Sequence, residues 1–172
     1  MIATLNKKAT HEVVSQALEA LRNMEHRGAT GAEPDSGDGA GILIRIPDEF
    51  YRSVVDFTLP AEGSYATGIA FIEPDFADQP AIEKLAAEEK ITILGWRELP
   101  INDSSLGKTA LSVMPRFVQI FIAGQAGESD LALDRKAFAF RKRVEHTLPI
   151  YFPSLSTRTI VYKGMLDRKS VV

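Results

Sequence analysis

The chain has 172 residues, 45% hydrophobic and 25% charged, the balance of a globular domain able to bury a core without disulfide or metal staples. Its formal net charge is −3, from 20 basic and 23 acidic side chains, so no global field favours nucleic acid or an anionic membrane. Cysteine is absent, which removes disulfides, thiolate metal sites and a cysteine nucleophile from these residues and fits a reducing cytoplasm.

No apolar run approaches the roughly 20 residues needed to span a bilayer. Lys7 and Lys8 follow the short apolar start instead of preceding it, the reverse of a secretory signal. A soluble, cytoplasmic protein is the expectation. Residues 1–5 suit a strand or its tail. Thr10 is placed to cap a helix with Glu12 in its first turn. Val13, Val14, Ala17, Leu18, Leu21 and Met24 recur at helical spacing and predict one buried stripe, with the helix ending near His26. Residues 28–41 are rich in glycine and short polar side chains and read as a loop.

Residues 41–46 predict a strand stopped by Pro47, and residues 48–54 a short helix. A second strand is expected at 67–72, and a helix at 79–90 with Pro80 at its start, where a missing N–H costs little. Strands follow at 91–97 and, most clearly, at 117–122. Ser129 or Asp130 is expected to cap a long helix with Leu133, Ala137, Phe140, Val144 and Leu148 on one face and Pro149 closing it. Residues 159–163 predict a last strand. Strands come in clusters rather than in strict alternation with helices. This order favours an α+β architecture, with helices on largely antiparallel sheet, in one domain spanning 1–172.

The densest chemical signal is Glu25-His26-Arg27-Gly28, then Gly31-Ala32, then Ser36-Gly37-Asp38-Gly39-Ala40-Gly41-Ile42. Glycines allow a backbone to approach a ligand closely, and an arginine there can hold a carboxylate or carbonyl. The same residues also make a plain loop between a helix and a strand. Gly37, Gly39 and Gly41 form G-x-G-x-G ahead of a strand, whereas a dinucleotide fingerprint is G-x-G-x-x-G opening a helix. No phosphate-binding G-x-x-x-x-G-K-[ST] occurs, and no serine sits in a G-x-S-x-G elbow. His11, His26 and His146 are far apart, without acidic companions at ligand spacing, so no metal site is expected. Arg135, Lys136, Arg141, Lys142 and Arg143 make the long helix basic. Asp130, Asp134 and Glu145 interleave them, which suits a solvated face better than a nucleic-acid footprint.

The run from Leu18 to Ala29, with Glu25-His26-Arg27-Gly28 at its centre, and the Ser36-Gly37-Asp38-Gly39-Ala40-Gly41-Ile42 loop closely resemble the start of glutamate synthase large subunits. Met114-Pro115-Arg116, Phe140-Arg141-Lys142-Arg143 and Ile160-Val161-Tyr162-Lys163-Gly164-Met165-Leu166 extend the resemblance over nearly the whole chain. It implies a class II glutamine amidotransferase domain of the N-terminal nucleophile hydrolase fold, a four-layer α/β/β/α sandwich. Such a domain hydrolyses glutamine to glutamate and ammonia, which travels on to aminate 2-oxoglutarate. In that family a terminal cysteine thiolate attacks the glutamine amide, with its own amino group as base. Met1-Ile2-Ala3-Thr4 matches the end of the family's nucleophile-bearing stretch without the cysteine.

By resemblance, Arg27 and Gly28 organise the nucleophile's amine and the substrate, while His26, Ser36, Gly37, Asp38 and Gly39 flank the pocket. The family's carboxylate-binding H-S-R-F-S-T-like segment and its oxyanion-hole Asn-Gly pair do not occur in these residues. The resemblance therefore implies an N-terminal portion of the domain, truncated at both ends and inactive alone. FMN and an iron–sulfur cluster are implied for other domains of the parent, and none within this chain. Implied partners are glutamine or glutamate and the remaining synthase domains. An unfinished sheet also exposes edges through which the chain could self-associate. A second reading is a non-catalytic glutamine- or glutamate-binding module on the same scaffold.

Overall fold

The computed structural model describes residues 2, 3, 5, 8, 10–24, 40–76, 79–104 and 106–164. The chain forms two compact units. The first comprises residues 1–40, 102–112 and 164–172, and the second residues 41–101 and 113–163.

In the first unit, helix α1 (His11–Asn23) begins one residue after the extended Thr10, which makes no side-chain capping bond. The expected buried stripe is not realised, since no residue of α1 is buried. Val13, Val14, Ala17 and Leu18 are half-buried, while Leu21 and Met24 are more than half exposed. A five-residue helix, α4 (Lys108–Ser112), lies in the same unit; its polar sequence gave no helical period.

The second unit carries the core. Strands β2 (Ala66–Ile72), β3 (Thr92–Glu98), β4 (Arg116–Ala123) and β5 (Ile150–Tyr151) form one sheet in the order β3-β4-β2-β5. All its pairings are antiparallel. Ala66 opposes Ile122 and Ile72 opposes Arg116, so β2 and β4 are in register along their shared length. The β3–β4 register slips between Ile93 and Gly95, leaving a bulge at Leu94. That bulge, on an edge strand, twists the edge away from further pairing.

Alternate residues of β2 and β4 bury opposite faces. Ala66, Ala70, Ile72, Val118, Ile120 and Ile122 meet helices α3 (Gln79–Glu88) and α5 (Asp130–Thr147). The predicted α5 stripe holds: Leu133, Ala137, Phe140 and Val144 are fully buried, and Leu148 packs against them. Burial of Leu133, Phe140 and Val144 contributes about 1.5–3 kcal/mol each. Ser129 stands at the N-cap of α5 without a side-chain capping bond. The Asp130 N–H instead donates to Gly63 O at 2.8 Å, and Asp134 accepts from the Thr157 N–H and hydroxyl.

On the other face, Ile69 and Phe121 join Tyr51 of α2 (Asp48–Val54), Ile46 and Ile160 in a second cluster. Ile44 of β1 (Ala40–Arg45) and Tyr162 of β6 (Thr159–Gly164) pack against it. These two strands form their own two-stranded sheet. Gly41 lies against Lys163, and the Ile46 N–H donates to Arg158 O at 3.0 Å, so the strands run in opposite directions. The second unit is thus layered helix, four-stranded sheet, two-stranded sheet. Because both faces of the central sheet are covered, β4 reads after Arg116 as an apolar run broken only by Gln119, without polar alternation.

Candidate functional site

His26, Arg27, Gly28, Ser36, Gly37, Asp38 and Gly39 all lie outside the described residues. So do residues 1 and 4 of the amino-terminal stretch. The described flanks of the glycine-rich segment are the end of α1 and the start of β1.

Within the second unit, the side chains of α2, β2, β3, β4 and β6 build a polar centre. Tyr162 of β6 and Tyr51 of α2 share a hydroxyl hydrogen bond of 2.7 Å. Beside them Gln119 of β4, with no exposed surface, donates from Nε2 to Thr67 Oγ1 at 3.0 Å. Its Oε1 accepts from Arg97 Nη1 at 3.1 Å. Thr67 in turn donates to the Ile120 carbonyl at 2.8 Å, and the Arg97 guanidinium stands 5.5 Å from the Phe50 ring centroid. The chain therefore joins β2, β3 and β4 through side chains as well as the ladder, and the tyrosine pair joins α2 to β6.

The electrostatics of this centre suit support rather than proton transfer. Burial, with the hydrogen bond to Tyr162 adding to it, pushes the Tyr51 phenol well above its ordinary value of 10.0. Burial, then the bond to Asp48, does the same for Tyr65. Both remain neutral phenols near neutral pH, and an amide does not titrate. One signal for this centre was present in the sequence: Gln119 is a lone amide inside the apolar run 117–122. Tyr51, Thr67 and Arg97 come from separate elements, and nothing in their spacing predicts the meeting.

Other residues of the recognised motifs have structural partners. Arg116 Nη2 donates to Glu98 Oε1 at 2.7 Å. Arg143 joins α5 to Glu88 and to Glu89 of the α3 end, the latter at 2.7 Å. Lys136 pairs with Glu128, and Arg141 and Lys142 with Glu145. The basic side of α5 is thus engaged by carboxylates, as a laced helix face is. Among the described residues no group of three or more His, Asp or Glu converges to hold a metal ion. An iron–sulfur cluster needs cysteine thiolates, and with no cysteine in the chain these residues do not fit one. No helix among the described residues is long and apolar enough to cross a membrane.

The family model for class-II glutamine amidotransferases matches residues 1–172. The chain is similar to the glutamate synthase [NADPH] large chain of Bacillus subtilis (strain 168), 38% identical over 182 residues, covering 99% of this chain and 12% of that protein. It is also 38% identical, over 184 residues, to ferredoxin-dependent glutamate synthase 1, chloroplastic/mitochondrial, of Arabidopsis thaliana, covering 99% of this chain and 11% of that one. The same identity holds over 174 residues of ferredoxin-dependent glutamate synthase 2 of Synechocystis sp., covering 96% and 11%. The chain spans about a tenth of the length of these relatives. A match running the full length of the chain, together with the layered antiparallel α+β structure, settles its membership: this chain belongs to the class-II glutamine amidotransferases.

Proposed function

We propose that these 172 residues are the N-terminal portion of the glutaminase domain of a glutamate synthase, the domain that releases ammonia from glutamine for glutamate formation. The family match over residues 1–172 carries this reading, and relatives named as glutamate synthases support it. In this reading the helix, sheet, sheet order of the second unit is three layers of the α/β/β/α sandwich. The fourth would cover the outer face of β1 and β6, where Leu43 is 65% exposed. Arg27 and Gly28 organise the reacting end of the pocket, with His26 and the Ser36, Gly37, Asp38 and Gly39 loop at its wall. The partners are the remaining synthase domains, in a cytoplasmic setting.

Covalent glutamine hydrolysis of this type needs a thiolate to attack the amide carbon and hold the glutamyl group. These residues contain no cysteine, and a methionine thioether has no proton to lose. The polypeptide of these 172 residues therefore binds into the domain as scaffold and turns over no glutamine by itself. The test is glutamate release from glutamine by the purified chain. The expected rate equals that of buffer; enzyme-dependent glutamate formation, proportional to chain concentration, would refute the assignment of the chemistry to residues outside this segment.

A further inference from the structure

A cavity of about 240 Å³ lies between α3 and the end of the central sheet where β2 finishes and β4 begins. Its floor is Ile72, Val118 and Ile150, with Ile82 closing it from the helix, and none of these is more than 6% exposed. Phe76, Pro80 and Trp96 form its walls. Arg116 and Gln79 are the polar residues that line it. Arg116 is held by Glu98 through one 2.7 Å bond, and the two side chains are 44% and 67% exposed. So exposed an ion pair is weak, and a single contact leaves most of the guanidinium fork for another acid.

We propose that this cavity is a binding site for a small apolar monocarboxylate. The hydrocarbon body, a single ring or a branched chain, rests on Ile72, Val118 and Ile150 against Trp96, and the carboxylate is received by Arg116 with the Gln79 amide as second donor. Volume supports the size class: a dry apolar cavity of about 150 Å³ already accommodates benzene, so the space here takes a ring with a carboxylate. Charge supports the anion and its valence. The ligand carboxylate takes the guanidinium in exchange for the exposed Glu98, and Glu98 beside it opposes any further negative charge.

Trp96 is the chain's single tryptophan, so its emission reports this cavity directly. Titration of the full chain with benzoate should give a saturable change, and the uncharged isostere benzamide should bind about tenfold or more weakly. Glu98→Gln removes the competing acid and should tighten benzoate about two- to fivefold. Arg116→Ala should bring benzoate down to the level of benzamide, with Arg116→Lys, which keeps the charge but loses the fork, in between. The Glu98→Gln arm stands even where an Arg116 variant fails to fold. The proposal is overturned by no saturable Trp96 response to benzoate, by equal affinity for benzoate and benzamide, or by weaker binding in Glu98→Gln.

Discussion

Replacing Gly68 with alanine tests how the free flank of β2 is closed. Gly68 sits in mid-strand opposite Ile120, and its other side is covered by the segment that follows β5. A β-carbon built on Gly68 would lie 2.0 Å from the Ser154 carbonyl oxygen and 3.1 Å from the Leu155 α-carbon. Both obstacles are backbone, so no side chain can swing aside. Overpacking of this kind costs about 1–3 kcal/mol. Pushing the segment outward also breaks the reciprocal pair in which the Thr67 N–H donates to Ser156 O and the Ser156 N–H to Thr67 O, at 3.0 and 3.2 Å, worth about 1 kcal/mol each. The sum is about 3–5 kcal/mol, which in a chain of this size lowers the melting temperature by roughly 6–20 °C. Gly127→Ala is the control. Gly127 has φ +85° and nothing within 4 Å of the added carbon, so only the left-handed backbone is penalised, by about 1–2 kcal/mol. Calorimetric or circular-dichroism melts of the two variants read the difference. A Gly68→Ala variant melting no lower than Gly127→Ala would refute the claim that the 154–156 segment is pressed rigidly on β2.

Three further outcomes follow from the same structure. Gln119→Leu keeps the volume but removes the bonds to Thr67 and Arg97, and should cost about 1–3 kcal/mol in urea unfolding; an unchanged midpoint would show the buried centre to be dispensable. The Arg52 hydrogen bond, opposed by desolvation and aided by the Tyr65 hydroxyl, holds the Asp48 carboxyl below its ordinary value of 3.8. A depressed folded-state value stabilises above 3.8 and is lost as pH falls through the lowered value. The stability gap between the parent and Asp48→Asn should therefore shrink on acidification below 3.8, and a pH-independent gap would sink the assignment. Finally, β1 and β6 form a two-stranded sheet with Leu43 exposed, so the isolated chain should self-associate at micromolar concentration in light scattering. Leu43→Lys should suppress this, because an edge charge opposes pairing; a clean monomer for the parent chain would count against it.

The local elements were legible where one period dominated. The α5 stripe at Leu133, Ala137, Phe140 and Val144 could face only a core, and β2 and β4 announced themselves as apolar runs because both their faces are covered. Family membership was legible too, since the motifs around His26-Arg27-Gly28 and their order along the chain are specific even where no geometry is known. The two-residue β5 had no such signal: it is a strand only because Ile150 and Tyr151 lie along Ile72 and Phe71. The bulge at Leu94 belongs to the same class, since register is a property of two strands and not of one. So do the Gln119 centre and the cavity of Arg116, Trp96 and Gln79, whose members come from different elements and are brought together by the sheet. Sequence by itself determined the longer helices and strands, the apolar face of α5 and which family the chain resembles, because those depend on neighbours three or four residues away. Only the tertiary structure decided which polar groups share a buried bond and where a cavity remains, because those depend on packing between segments that the chain order keeps apart.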